Sequence, residues 1–476
     1  YGVDLNPTAI ELGKLSLWLN VIHKDMETPF FANRLALGNA VIGAWLKVYS
    51  QKDVQRDIVG NRPIDKQWWE APTKRISFSM SAPKRHYTEV YHFLLPVKDM
   101  LGVLSTKQRE RTDPAYKRFV EIRKGWTKGI TKSEYEQLKR ISSKIDVLLK
   151  EYVEFQMSIE KFANNGYHVW QYAGNRTLPF NTNAERQALD DRRYRKNSPY
   201  MKVKKVMDYW CSLFFWEFED AAELPTRQQY WDDIERMLDV DTEKGVKVQF
   251  SNAGKDGLED LFAPKRGQFV FDSAEEESEI KAKTLNELLN DEAKLQEGVL
   301  KLGEGISEVD RFSIVERLAN RYHFFHPMLE FLEVFWLRDG FDIICGNPPW
   351  LKLEFNDADI VAERFPEVAI RRISSPDVRK KLQDYFTNDK RISTSGVVSL
   401  EEIYLAEQKE NAGCTAFMNA KCNYPLLIGQ QADLYKSILV NGFSLLSNNG
   451  YMGLLHPESV FIDAKGDVLR KELYHR

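Results

Sequence analysis

The chain has 476 residues, 43% of them hydrophobic, enough to bury a large core and, as a soft expectation, to form roughly two to four domains. A net charge of −3 excludes a uniformly basic nucleic-acid binder but leaves room for a local basic face, because the field follows charge distribution rather than the total. Four scattered cysteines, Cys211, Cys345, Cys414 and Cys422, lack CxxC spacing and argue against a zinc site or a disulfide framework, and no apolar run reaches the ~18 residues of a membrane span.

Residues 1–22 read as strand, then helix. Tyr1-Gly2-Val3-Asp4-Leu5 is a short β run ending at an acidic residue. Asn6 is a candidate N-cap, and Pro7 takes the first helical position. Ala9, Leu12, Leu15, Leu19 and Ile22 then recur at spacings of three and four, one face of a helix. A second short strand is expected over Arg34–Leu37, stopped by Gly38 and Asn39. Because Tyr1 is not an initiator Met and already lies inside a strand, the expectation is a piece of something longer. No signal peptide is visible, and unpaired thiols suit the cytoplasm.

From residue 51 to about 330 helical patterns dominate, over 114–126, 132–162, 201–220 and 226–238. Lys84–Arg85, Lys107–Arg111 and Lys117–Lys128 are locally basic. The stretch 105–128 is either a solvated helix face or a contact to a DNA backbone. Residues 240–275 read as loop with one short strand, Gln268–Phe271, and 275–302 as acidic helix. No internal repeat or low-complexity tract is present.

From residue 336 an α/β pattern returns. Phe341–Cys345 is an apolar strand flanked by Gly340 and Gly346. Residues 432–447 form a helix, Asn448-Asn449-Gly450 is a turn signal, and Tyr451–His456 is another buried strand closed by Pro457. Alternating strands and helices argue for an open, mostly parallel, doubly wound sheet. The expected division is 1–50 and 336–476 as one α/β core, with 51–335 as a mainly helical insertion.

In open α/β sheets, ligands bind at the carboxyl ends of the strands. Asn347-Pro348-Pro349-Trp350 sits at such an end. Successive prolines fix the backbone and remove two N–H donors, while their carbonyls remain as acceptors. The Asn347 side-chain oxygen and the Pro348 carbonyl form a pair of acceptors suited to an –NH₂ group, which has two protons to donate. Trp350 supplies a flat face on which an extruded base can stack. The bland alternative is a Pro-Pro turn beside a buried Trp, and the strand context FDIICG favours the functional reading.

Asp4, at the end of a strand leading into a helix, suits ribose hydroxyls of a nucleotide-type ligand, or it is a carboxylate favoured by a helix N-terminus. The strand-end motif at 347–350 tips this towards the ligand. Gly38-Asn39 is open: Asn39 either hydrogen-bonds an adenine edge or caps a turn. His323 and His326 lie three apart, but no carboxylate or Cys completes a metal set at a familiar spacing, so they read as core or surface histidines.

These segments resemble a known family. YGVDLNPTAIELGKLSLWL resembles motif II of the amino-methyltransferases, and LALGNAVIG resembles motif III. FHPMLEFLEVF followed by DGFDIICGNPPW resembles the lead-in and motif IV of large gamma-type adenine-N6 DNA methyltransferases. Those belong to fused restriction–modification systems and to the BREX and DISARM phage-defence systems. KKVMDYWCSLFFW (204–216) resembles a stretch of their insertion, LYKSILVNGFSLLSNNGYMGLLHPESVF resembles motifs V and VI, and Leu469-Arg470 the helix that follows.

The resemblance implies S-adenosylmethionine as cofactor, adenine in double-stranded DNA as target, and a Rossmann-like sheet with one reversed strand. It implies no membrane, and other restriction or phage-defence subunits as candidate partners. By carry-over Asp4 holds the cofactor ribose, Asn39 lies near its adenine, and Leu5 and Gly38 complete that side. Asn347 and Pro348 grip the target amino group, Pro349 completes the turn, and Trp350 stacks on the base. The family usually carries Asp or Asn at the Asn39 position, and Tyr or Phe more often than Trp at 350. Its Gly-rich cofactor loop is expected before Tyr1 and its target-reading region after Arg476, so residues 1–476 alone are expected to be inactive. Two rivals remain: a protein glutamine methyltransferase, whose amide –NH₂ poses the same geometric problem, and a non-catalytic scaffold that holds DNA or partners.

Overall fold

The computed structural model describes residues 1–22, 31, 34–59, 62–79, 82–106, 108–163, 187–188, 190–239, 310–389 and 398–475. The expected strand 268–271 and acidic helix 275–302 lie outside the described residues, as does all of 240–275. Strand β1 (Gly2–Asp4) pairs in parallel with β2 (Leu35–Leu37), Gly2 opposite Leu35 and Asp4 opposite Leu37. Helix α1 (Pro7–Val21) starts as its sequence predicts: the Asn6 side chain accepts the Thr8 N–H at 2.9 Å, and Pro7 occupies the first turn. Its expected stripe does not face a core. Leu12, Leu15, Leu19 and Ile22 are exposed, and Ile10 is the buried residue. Apolar residues lie all round this helix, so periodicity does not select a face.

The next segment, expected to be mainly helical, opens with small sheets. β3 (Lys47–Tyr49) pairs antiparallel with β6 (Lys74–Arg75) and β7 (Val90–Tyr91), while β4 (Asp57–Val59) and β5 (Arg62–Ile64) form a hairpin. Four helices follow close to their predicted ranges, α2 (Pro114–Trp126), α3 (Lys132–Ala163), α4 (Pro199–Phe215) and α5 (Arg227–Met237), and α6 (Asp310–Tyr322) is a further helix that the sequence reading did not assign. Their caps explain the accuracy. Asp113 accepts the Ala115 N–H at 2.7 Å, Ser198 accepts that of Met201 at 3.1 Å, and Thr226 with Gln229 forms a reciprocal capping box. α4 ends at Phe215 rather than near 220 because Trp216 turns extended and its indole N–H donates to the Asp220 carbonyl at 3.0 Å.

α4 is the axis of the core. Every residue from Val206 to Phe215 is buried, and α3, α6 and the later helix Leu400–Asn419 pack around it. Among the described residues five tryptophans are fully buried: Trp68, Trp126, Trp210, Trp216 and Trp231. Each indole N–H finds a carbonyl, those of Pro96, Pro225, Leu95, Asp220 and Leu94 respectively, so large apolar surface is buried without an orphaned donor.

Two buried histidines tie the 44–45 segment to this core. The Ala44 N–H donates to His326 Nδ1 at 3.0 Å, which leaves Nε2–H to donate to the Asp208 carboxylate at 2.9 Å. The Trp45 N–H donates to His92 Nε2 at 3.2 Å. Burial lowers both pKa values; for His92, burial and then the Lys47 charge bring it to about 3. A histidine depressed on folding stabilises fully above its unfolded value of about 6.5 and loses that contribution as pH falls towards the folded value. The urea midpoint should therefore be flat above about pH 7 and fall by pH 5. A midpoint unchanged between those values would sink this reading.

β8 (Phe341–Gly346) follows, then a lobe of short helices: α7 (Asp357–Ala362), α8 (Glu367–Ile370), α9 (Ser375–Lys380), α10 (Leu382–Thr387) and the longer α11 (Leu400–Asn419). The lobe has its own small core of Val361, Val368, Val378 and Leu400. Buried Asp357 anchors it, pairing with Arg379 and accepting the Tyr404 hydroxyl at 2.6 Å. α12 (Leu434–Leu445) then leads into β9 (Leu446–Leu454), which pairs in parallel with β8.

The expected turn at 448–450 is a bulge inside β9. Between the pairs Phe341–Leu446 and Ile343–Tyr451, β8 advances two residues and β9 five. Gly450 is needed there, since a Cβ would lie 2.6 Å from the Phe341 carbonyl oxygen.

The single wound sheet expected from the sequence is, among the described residues, a set of four small sheets. β1–β2 and β8–β9 are both parallel but are not joined by a ladder. Their amino ends meet through side chains instead: Tyr1 lies edge-on to Phe341 at 5.4 Å and to Phe331 at 5.0 Å. Asn441 on α12 donates to the Ala40 carbonyl at 2.9 Å, a second tie between the halves. Among the described residues no helix is long and apolar enough to cross a membrane.

Candidate active site

β8 delivers Gly346 to the loop 347–350, and neighbours on two sides hold that loop. The Leu455 N–H, just past β9, donates to the Gly346 carbonyl at 3.1 Å. The Trp350 indole N–H donates back to the Leu455 carbonyl at 3.2 Å. On the other side, Leu434 N–H reaches the Leu351 carbonyl and Leu353 N–H reaches that of Ala432, both at 3.0 Å, bracketing a bridge between Lys352 and Asp433.

Within this clamp Pro348 is buried, while Asn347, Pro349 and Trp350 are exposed. Trp350 is 59% exposed although its N–H is engaged, so the ring is positioned and its surface open. Among the described residues neither the Asn347 side chain nor the Pro348 carbonyl makes a hydrogen bond. The two acceptors, neighbours on the chain, are thus both unengaged.

Sequence reasoning missed the supports. Asp433 is buried, one of its carboxylate oxygens has no partner among the described residues, and burial raises its pKa. An acidic residue directly before an apolar helix was its available signal. Tyr435 stacks on His456 at 6.0 Å and shares a hydrogen bond of 2.7 Å with Ser459. Buried Lys436 pairs with Asp463 at 2.6 Å. These interactions fix the start of α12 against the chain leaving β9.

Asp4, Leu5, Gly38 and Asn39 gather at the carboxyl ends of β1 and β2. The Asp4 carboxylate is exposed, accepts the Asn6 N–H at 2.8 Å, and forms no ion pair among the described residues. Gly38 N–H donates to the Asp4 carbonyl at 2.9 Å. A Cβ on Gly38 would lie 2.6 Å from the Phe325 ring, so only glycine lets β2 close on that segment. Asn39 realises its turn-capping reading: its side-chain oxygen accepts the Val41 N–H at 3.1 Å. Its amide nitrogen stays free among the described residues. Leu5 and Leu37 are exposed beside it.

The site residues therefore form two groups on two sheets. His326 belongs to the core, and the His323 carbonyl accepts the Asn39 N–H at 2.8 Å. Of the basic stretch 105–128, Arg118 is committed to the Ala221 and Ala222 carbonyls and Arg109 to Asp113, while Lys117, Lys124 and Lys128 are exposed.

Compared with known proteins, the chain matches no curated protein and no solved structure. One family does match, over residues 1–392, which take in Asp4, Asn39, the central helix Pro199–Phe215 and Asn347–Trp350. On that match the chain belongs to the Eco57I restriction-modification methylase family.

Proposed function

We propose that this protein methylates the N6 amino group of adenine in duplex DNA. Family membership implies a DNA substrate and S-adenosylmethionine as methyl donor. The observation that carries the finer reading is the free acceptor pair, Asn347 and the Pro348 carbonyl, beside the open Trp350 ring. An exocyclic amino group donates two hydrogens, and accepting both draws the nitrogen towards a tetrahedral shape, so its lone pair is shared less with the ring and is available for attack. Stacking on Trp350 then contributes roughly 1–3 kcal/mol towards holding the base outside the duplex.

The residues at the ends of β1 and β2 fit the cofactor. Asp4 keeps one carboxylate oxygen unengaged for ribose hydroxyls. Asn39 keeps an amide N–H₂ for an adenine edge, and Leu5 and Leu37 offer apolar surface to its ring. S-adenosylmethionine supplies an electrophilic methyl group. The chain's own work is positioning: Asn347 and Pro348 orient the amino group, and Trp350 fixes the plane of the base. No covalent bond to the protein is required. We take 1–50 and 336–476 as the catalytic core, 51–335 as its insertion, and a restriction or phage-defence system as the setting.

The test is transfer of labelled methyl groups by the full-length protein to duplex DNA and to release-factor protein, followed by digestion. N6-methyladenine is the expected product. Label on cytosine, or on a glutamine side chain, overturns the reading.

A further inference from the structure

We propose that the turn between α8 and α9, in the helical lobe that follows Trp350, grips the phosphate backbone of the duplex beside the target base. This rests on the proposed DNA-methylating function. The lobe starts at Asn356, six residues after Trp350, a reach of at most about 20 Å. The link between them is held by the hydrogen bonds of Leu351 and Leu353 to Leu434 and Ala432, so the lobe is placed by the same clamp that holds the catalytic loop.

Its cations are unevenly used. Arg379 is committed to buried Asp357, and Lys380 pairs with Asp377 at 2.9 Å. Arg371, Arg372 and Lys381 are all exposed and form no ion pair among the described residues. Glu367, one turn before Arg371, does not engage it, and Asp377 is shared by Ser374 and Lys380, with Lys381 reaching it through its charge alone. α9 is only about 9 Å long, so Arg372 before it and Lys381 after it span a few phosphates of one strand.

Two details separate this turn from an ordinary solvated face. Arg372 sits in the left-handed region at φ 51°, an unfavourable conformation for a side-chain-bearing residue, in the turn between α8 and α9. Close to it Ile370 is 79% exposed, an apolar side chain among cations. That combination suits a backbone that carries both phosphates and deoxyribose.

The experiment compares the full-length protein with the R371A/R372A/K381A variant in binding to a duplex across a salt series. Removing a cation that neutralises one phosphate should reduce the slope of log affinity against log salt by about 0.9, so the slope should fall by up to about 2.7. Affinity should drop at least about tenfold near 0.15 M salt. R371K/R372K, which keeps the charge, should keep the wild-type slope and shows that folding is not at issue. An unchanged slope in the alanine variant overturns the assignment, whether or not the DNA is methylated. A reduced slope in a protein whose methyl label goes to a protein acceptor keeps the DNA-binding face and overturns the proposed function instead.

Discussion

Asn347→Ala in the full-length protein should lower kcat for DNA methylation by about 10²–10³-fold while changing DNA affinity by less than about threefold. The side chain is exposed and makes no hydrogen bond among the described residues, so its removal costs the fold little. What disappears is one of two acceptors for the target amino group. The Pro348 carbonyl alone cannot take both hydrogens, and the nitrogen lone pair stays conjugated with the ring. DNA affinity comes mainly from phosphate contacts and is insensitive to this change. Single-turnover methylation together with a binding titration separates the two effects. A kcat within tenfold of the wild type would remove Asn347 from the chemistry. Absence of methylation in both proteins would favour the scaffold alternative.

Trp210→Ala should cost about 3–5 kcal/mol of unfolding stability. Trp210 is fully buried on α4, edge-on to His92 at 4.9 Å and to Phe214 at 5.2 Å, and donates to the Leu95 carbonyl at 3.0 Å. The truncation leaves a cavity and deprives a buried carbonyl of its donor. A whole protein is stable by only about 5–15 kcal/mol, so the variant should populate unfolded or aggregated forms at moderate temperature. Trp210→Phe keeps most of the packing but loses the N–H and part of the ring, so it should cost less, about 1–3 kcal/mol. Denaturant unfolding of the two variants checks the order. Equal losses would mean that the hydrogen bond, not the packing, holds the site.

Local signals in the sequence carried far. The strand–Asn–Pro start of α1, the helical patterns over 114–126, 201–220 and 226–238, and the apolar run before Gly346 each marked an element within a few residues. Those signals act through hydrogen bonds one to four residues away, so they can be read in one dimension. The short helices of the 357–387 lobe were not anticipated. Four to six residues are too few to show a period, and only their shared core of Val361, Val368 and Val378 makes them helical.

The sequence by itself determined the proposed acceptor pair and the strand that leads to it, because Asn347 and Pro348 are neighbours on the chain, directly after Gly346. Only the tertiary structure decided that Asn347 and the Pro348 carbonyl stand free among the described residues, that Trp350 is pinned by Leu455, just past β9 and more than a hundred residues away, and that the outward face of α1 is the leucine stripe. It also decided that the two parallel strand pairs meet through Tyr1 and Phe341 rather than through a common ladder. These outcomes depend on which distant groups compete for the same hydrogen bond or apolar surface, and that competition exists only once the chain is folded.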